Sequence, residues 1–187
     1  VKVADTTEGL TILAIDPGVT GAMAFYRPEM PDRIAVDDMP VVDGQVDPHE
    51  LRRRIALFSP SVAIIERVSP MPRDGVVQAW RFSAAYTTAR VVCSLLHLPT
   101  SLVTPAKWKR DMKLKGGPEG KEQSRALAIQ LFPAVAASFA RKKDAGRAEA
   151  AILAYYAASK FVYVYKDAKA TQLQRIDFTL PKANHDD

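Results

Sequence analysis

Short apolar runs that end on an acidic residue set the rhythm of this chain. Residues 10–16 are apolar, with β-branched positions, until Asp16, and their length predicts a buried strand. Residues 21–26 predict a second strand, and the weaker alternation of residues 34–39 predicts a third. Gly18-Val19-Thr20-Gly21 is short enough to be the turn between the first two, and its glycines also let a phosphate approach the backbone. Residues 62–65 are apolar throughout, as expected of a strand covered on both faces, and stop at Glu66.

Helices announce themselves by caps. Asp47-Pro48-His49-Glu50 reads as a helix start, and Leu51, Ile55 and Phe58 form its stripe until Ser59-Pro60 ends it. Pro70, Pro72 and Gly75 make residues 69–75 a loop, and residues 76–98 predict a long helix. Residues 101–103 predict a short fifth strand, after which Thr104-Pro105 opens a short helix through Met112. Gly116-Gly117-Pro118 reads as a break in the chain, residues 121–132 as a helix, and residues 147–161 as a final core helix with broad apolar faces. Residues 161–165 read as a further strand, and residues 1–9 as a polar, frayed start. With no repeat and no linker, the order of elements predicts a single α/β layer structure.

Composition narrows the class. A chain of 187 residues is near the usual size of one domain, and 48% hydrophobic content fits a soluble globular core. A net charge of +5 is a modest pointer to a polyanionic partner. The single cysteine, Cys93, lies in an apolar helical stretch and reads as a small buried hydrophobe, which fits a reducing cytoplasm. Neither a membrane span nor an export signal is expected.

The candidate chemistry lies in the acids. Asp16 and Glu66 each end a core strand, so neighbouring strands would bring both to one sheet edge, where open α/β folds bind ligands. Glu149 shares helical spacing with Ile152, Leu153 and Tyr156 and therefore sits on or beside a buried face. Asp144 is out of phase with it and is expected just before the helix. Such a cluster repels itself unless a cation neutralises it, and Mg²⁺ or Mn²⁺ prefers oxygen ligands. Two ions roughly 4 Å apart would activate a water and stabilise a leaving oxygen of a phosphodiester. Taken singly, each acid also has a plain structural role: Asp16 caps a turn, Glu66 pairs with Arg67 or Arg73, Asp144 caps a helix, and Glu149 is a satisfied helix acid.

A basic segment follows the fifth strand. Lys107, Lys109, Arg110, Lys113 and Lys115 are interleaved with Trp108, and Lys121 follows a glycine-rich stretch. This suits phosphate contact on a mobile loop, the alternative being a solvated helix face with Trp108 anchored in the core. Arg73 and Lys143 add positive charge near the acids.

Together these residues resemble the RuvC family of Holliday-junction resolvases, within the RNase H-like nuclease fold, and look most like its phage and prophage branch. The resemblance runs from about Leu10 to Phe161. It is carried by Ala14-Ile15-Asp16-Pro17-Gly18-Val19-Thr20-Gly21, Ile64-Ile65-Glu66-Arg67-Val68, Thr104-Pro105-Ala106-Lys107-Trp108-Lys109, Gly120-Lys121-Glu122 and Asp144-Ala145-Gly146-Arg147-Ala148-Glu149-Ala150-Ala151. It implies a central five-stranded mixed sheet, its first three strands antiparallel, in a nuclease domain over residues 1–161. Residues 162–187 would be an extension contacting a second copy or DNA.

The resemblance further implies a homodimer that binds four-way DNA junctions and makes paired nicks in a bacterial or phage-infected cytoplasm. Mg²⁺ or Mn²⁺ would sit at Asp16, Glu66, Glu149 and Asp144, with Lys109 and Lys121 on DNA phosphates. The chain departs from the family pattern at two places. Ser69 stands where the better-known enzymes have a junction-stacking aromatic, which leaves Met71 or Trp80 for that task. Gly146 stands where they have an acid or histidine, three residues before the last helix acid.

Three other readings remain. One is a related nuclease that cuts flaps, forks or other branched DNA. Another is a non-catalytic DNA-binding module on the same fold, against which the intact acids argue. The last is an actin-like or sugar-kinase-like ATPase lobe, for which the chain is too short because those proteins need two lobes.

Overall fold

The computed structural model describes residues 9–67 and 75–175, with side chains through residue 160. The first three strands form an antiparallel meander: β1 (Ile12–Asp16), β2 (Ala22–Tyr26) and β3 (Ile34–Asp38). A small hairpin follows, β4 (Val41–Val42) with β5 (Gln45–Val46), and then helix α1 (Pro48–Phe58). Strand β6 (Val62–Glu66), helix α2 (Val76–Leu95) and strand β7 (Thr100–Val103) come next. The chain ends in helices α3 (Pro105–Asp111), α4 (Gly117–Leu131) and α5 (Ala145–Arg175), with short 3₁₀ turns at Pro133–Phe139 and Lys142–Asp144. Sheet order is β3-β2-β1-β6-β7, with β6 parallel to β1 and β7 parallel to β6.

Strand alternation divides the core. Leu13, Ile15, Met23 and Phe25 pack with Leu51 and Ile55 of α1 and with Ala85, Ala89 and Val92 of α2. Ile12, Ala14, Ala22, Ala24 and Ile64 face the other way, onto α5. Successive alanines make α5 buried over most of its circumference from Ala148 to Ala158, because small side chains let its backbone lie close to the sheet.

Several local expectations hold and several need correction. The Asp47 carboxylate accepts from the amides of His49 and Glu50, as its N-cap reading requires. The β4–β5 hairpin was not foreseen, although Asp43-Gly44 is a recognised tight-turn pair, and both residues have positive φ (52° and 74°). Residues 161–165 are helical rather than a strand, since α5 runs unbroken to Arg175. Lys121 lies on a helix as expected, but α4 begins earlier than the sequence suggests, since Gly117 and Pro118 of the expected break already belong to its first turn. Cys93 is buried, and burial pushes its thiol up to about 11. No described helix is long and apolar enough to cross a membrane. The N-terminal segment before Gly9, most of the 69–75 loop with Ser69, Met71 and Arg73, and residues 176–187 lie outside the described residues.

Candidate active site at the edge of the sheet

Register places the acids in one row. Asp16 pairs with Ala22, and Ala22 with Asp38; Ile15 pairs with Ile65, which puts Glu66 beside Asp16 one step further along. Asp16 has the same parity as Ile12 and Ala14, and Glu66 the same as Ile64, so both side chains leave the sheet toward α5. Glu149, in the second turn of α5, comes to meet them. The start of α5 is seated by Gly146, where an added Cβ would lie 2.8 Å from the Thr20 carbonyl oxygen. A carboxylate or imidazole at that position would collide with the β1–β2 turn.

The acids are held by two adjacent residues of α3. The Trp108 indole donates from Nε1 to Glu66 Oε1 at 2.7 Å, and Lys109 Nζ donates to Glu149 Oε1 at 2.8 Å. Glu66 and Glu149 are buried, while Asp16 keeps partial exposure to solvent. Burial holds the Asp16 carboxyl well above its ordinary range, reinforced by the charges of Glu66 and Glu149 and opposed by Lys109 and Lys121. Burial also raises Glu66, and the Trp108 hydrogen bond and the Lys109 charge oppose it. Three acids thus compete for too little positive charge, and their oxygens are the donor set that a hard divalent cation prefers. Among the described residues no three acidic, histidine or cysteine side chains are already drawn together around one point, since Trp108 and Lys109 each hold one carboxylate.

Asp144 has a different partner. It closes the capping box of the 3₁₀ turn that precedes α5, accepting from the Arg141 amide and guanidinium, the latter at 2.9 Å, beneath that exposed side chain. The Arg141 guanidinium holds its carboxyl below the usual range. The sequence reading missed Arg147, whose guanidinium grips Asp38 by two hydrogen bonds, at 2.7 and 2.6 Å, and ties α5 to the end of β3. It also missed the indole bond to Glu66. Trp108 is 1% exposed, which fits the alternative of a core anchor and takes the ring off any DNA-facing surface.

Beside the carboxylates runs a groove of about 560 Å³ lined by Pro105, Ala106, Lys109, Arg110, Lys113 and Leu114, together with Gly116. Arg110, Lys113, Lys121 and Lys143 are exposed. Lys107 pairs with Asp111 at 3.3 Å and Lys115 with Glu119 at 2.6 Å, both on the surface, where such pairs exchange readily for a phosphate.

No protein-family model and no curated protein matches the chain. Solved structures do. RuvC of T. thermophilus in complex with a Holliday junction substrate superposes with a TM-score of 0.54 at 14% identity, covering 87% of this chain and 97% of that one. A second Thermus thermophilus RuvC structure gives 0.50 at 13% identity, covering 87% and 98%. The yeast mitochondrial Holliday junction resolvase Ydc2 gives 0.49 at 13% identity, covering 91% and 90%. At this identity the likeness establishes the fold: a RuvC-like, RNase H-like α/β domain with a mixed five-stranded sheet.

Proposed function

We propose that this RNase H-like chain is a metal-dependent, structure-selective DNA endonuclease that resolves four-way junctions by paired nicking. The observation that carries the reading is that Asp16 and Glu66 end adjacent strands, with Glu149 of α5 close enough for its charge to act on both, beside a cation-lined groove. These acids would hold Mg²⁺ or Mn²⁺, a pair of ions by the chemistry of such sites, and the cations would supply an activated water and charge for the leaving oxygen. The protein's own part is to place and neutralise. Asp16, the most exposed of the three, meets solvent and substrate, while Glu66 and Glu149 are held from α3. Lys109 stands between acids and groove, where its ammonium orients a phosphate; Lys121 reinforces it. Arg110, Lys113, Lys107, Lys115 and Lys143 line the path of the backbone, and Arg73 joins them in this reading. A nuclease acting on flaps or forks rests on the same site and is separated from a resolvase by substrate alone.

The Asp16→Asn protein, which retains the groove, is expected to bind a labelled junction without cutting it. In that background Arg110→Ala with Lys113→Ala should weaken binding several-fold and lower the slope of log affinity against log salt by about one per lost phosphate contact. Gel shifts over a salt series read both, and an unchanged slope would remove these residues from the DNA path.

Asp144 joins the cation set only by exchanging Arg141 for a metal. Its depressed folded-state pKa contributes stability that is present above its unfolded value, near 4, and is lost as pH falls through the folded value. Asp144→Asn should therefore lower the melting temperature at pH 7, and progressively less as pH falls below about 4. It should reduce cleavage by roughly tenfold or less, far short of the effect at Asp16. A complete loss of cleavage in a well-folded Asp144→Asn protein would make it an obligate ligand.

A homodimer is part of the proposal, with residues 162–187 as an extension that contacts the second copy or DNA. Its support is the exposed apolar face of α2, where Val77, Trp80, Val91 and Leu95 are at least half exposed. Sedimentation should show a dimer that Leu95→Lys converts to monomer; a wild-type monomer at working concentration would contradict it.

A further inference from the structure

We propose that Trp108 is a positioning residue for the cation site, fixing the carboxylate of Glu66 through its indole N–H. The inference rests on the reading of Glu66 as a metal ligand. An indole has one donor and no acceptor, so the 2.7 Å bond from Nε1 to Oε1 has a single possible polarity. Both partners are buried, at 1% and 7% exposure, so no solvent competes for the bond. The ring cannot easily turn away. Its amide donates to the Thr104 carbonyl, its carbonyl accepts from Met112, and its side chain belongs to the core between sheet and α5.

The same ring carries Lys109 Nζ 5.2 Å above its centroid, and that ammonium holds Glu149. Two consecutive residues thus set the positions of two acids from different elements. A tryptophan serving only as a core anchor would need some acceptor for its N–H, and a backbone carbonyl would do. Here the acceptor is the acid at the end of β6, the strand that lies beside β1 and Asp16. A donor behind a ligating carboxylate restricts its rotation while leaving its other oxygen valences for the cation, and loss of such partners commonly weakens metal binding 10- to 100-fold.

The test separates the N–H from the ring. Trp108→β-(3-benzothienyl)alanine replaces N–H with sulfur at nearly constant shape. On the full chain without DNA, Mn²⁺ binding is followed by titration calorimetry and the metal-free melting temperature is recorded beside it. The expected result is a melting temperature close to the wild type with a Kd for Mn²⁺ raised about tenfold or more. An unchanged Kd would overturn the positioning role while leaving the nuclease reading intact. Absence of Mn²⁺ binding by the wild type would overturn both.

A second measurement needs no destabilising change. In protein labelled with 5-fluorotryptophan, the ¹⁹F resonance of buried Trp108 is distinguished from that of exposed Trp80 by its small solvent-isotope shift. It should move over the Mg²⁺ range in which calorimetry records binding. A resonance that stays fixed while Mg²⁺ binds would overturn the proposal.

Discussion

Asp16→Asn should abolish cleavage, by roughly 10³-fold or more, and at the same time stabilise the metal-free protein at neutral pH. The first effect follows from removing a ligand from a site that supplies several kcal/mol of transition-state stabilisation, each 1.36 kcal/mol being about tenfold in rate. The second follows from the electrostatics of the free site. The folded-state pKa of Asp16 is raised by burial and by the charges of Glu66 and Glu149. A raised carboxyl contributes stability that is fully present below its unfolded value, near 4, and is lost as pH rises through the folded value. The wild type without cation should therefore lose melting temperature as pH rises from about 4 toward 8, and Asp16→Asn should lose less. Added Mg²⁺ should restore the wild type by linkage and the variant little. Calorimetric melts across pH, with and without Mg²⁺, read all of this. A variant less stable than the wild type in metal-free buffer at pH 8 would show that Asp16 is satisfied by the protein alone.

Gly21→Ala should be the most damaging small substitution at the site. An added Cβ would lie 2.0 Å from the Asp16 carbonyl oxygen and 3.1 Å from the Gly18 nitrogen, both backbone atoms with no side chain to swing aside. The Gly21 amide bonds to the Gly18 carbonyl, and its own carbonyl accepts from Met39, so the residue is tied on both sides. Relief requires moving the β1–β2 turn, and with it Asp16. The expected cost is about 3 kcal/mol or more, a fall in melting temperature on the order of 10 °C, together with loss of cleavage. Gly116→Ala, where an added Cβ meets nothing within 4 Å, should stay within about 0.5 kcal/mol and retains cleavage. Equal behaviour of the two variants would contradict the packing described for the turn.

The parts of the site that could be read from sequence are those fixed by local pattern. An apolar run of strand length ending in an acid determines where Asp16 and Glu66 sit, and alternation determines the face they share. The end of α5 was not legible, since residues 161–165 carry β-favouring side chains while the helix they continue already extends from Ala145. Asp144 was placed correctly just before the helix, but its bond to Arg141 competes with a metal role in a way that spacing does not reveal. Trp108 and Glu66 are 42 residues apart and joined by one hydrogen bond, a pairing that only the tertiary fold creates. Gly146 looked like a missing ligand; its contact with Thr20 shows a position where the turn leaves no room for one.

The most direct measurement is cleavage of a labelled synthetic four-way junction in Mg²⁺, with linear duplex and flap substrates alongside and Asp16→Asn as control. The account predicts paired, symmetric nicks on the junction that depend on the cation and vanish in the variant. Equal cutting of the flap would contradict junction selectivity, and the absence of cation-dependent cutting of every substrate would contradict the nuclease itself.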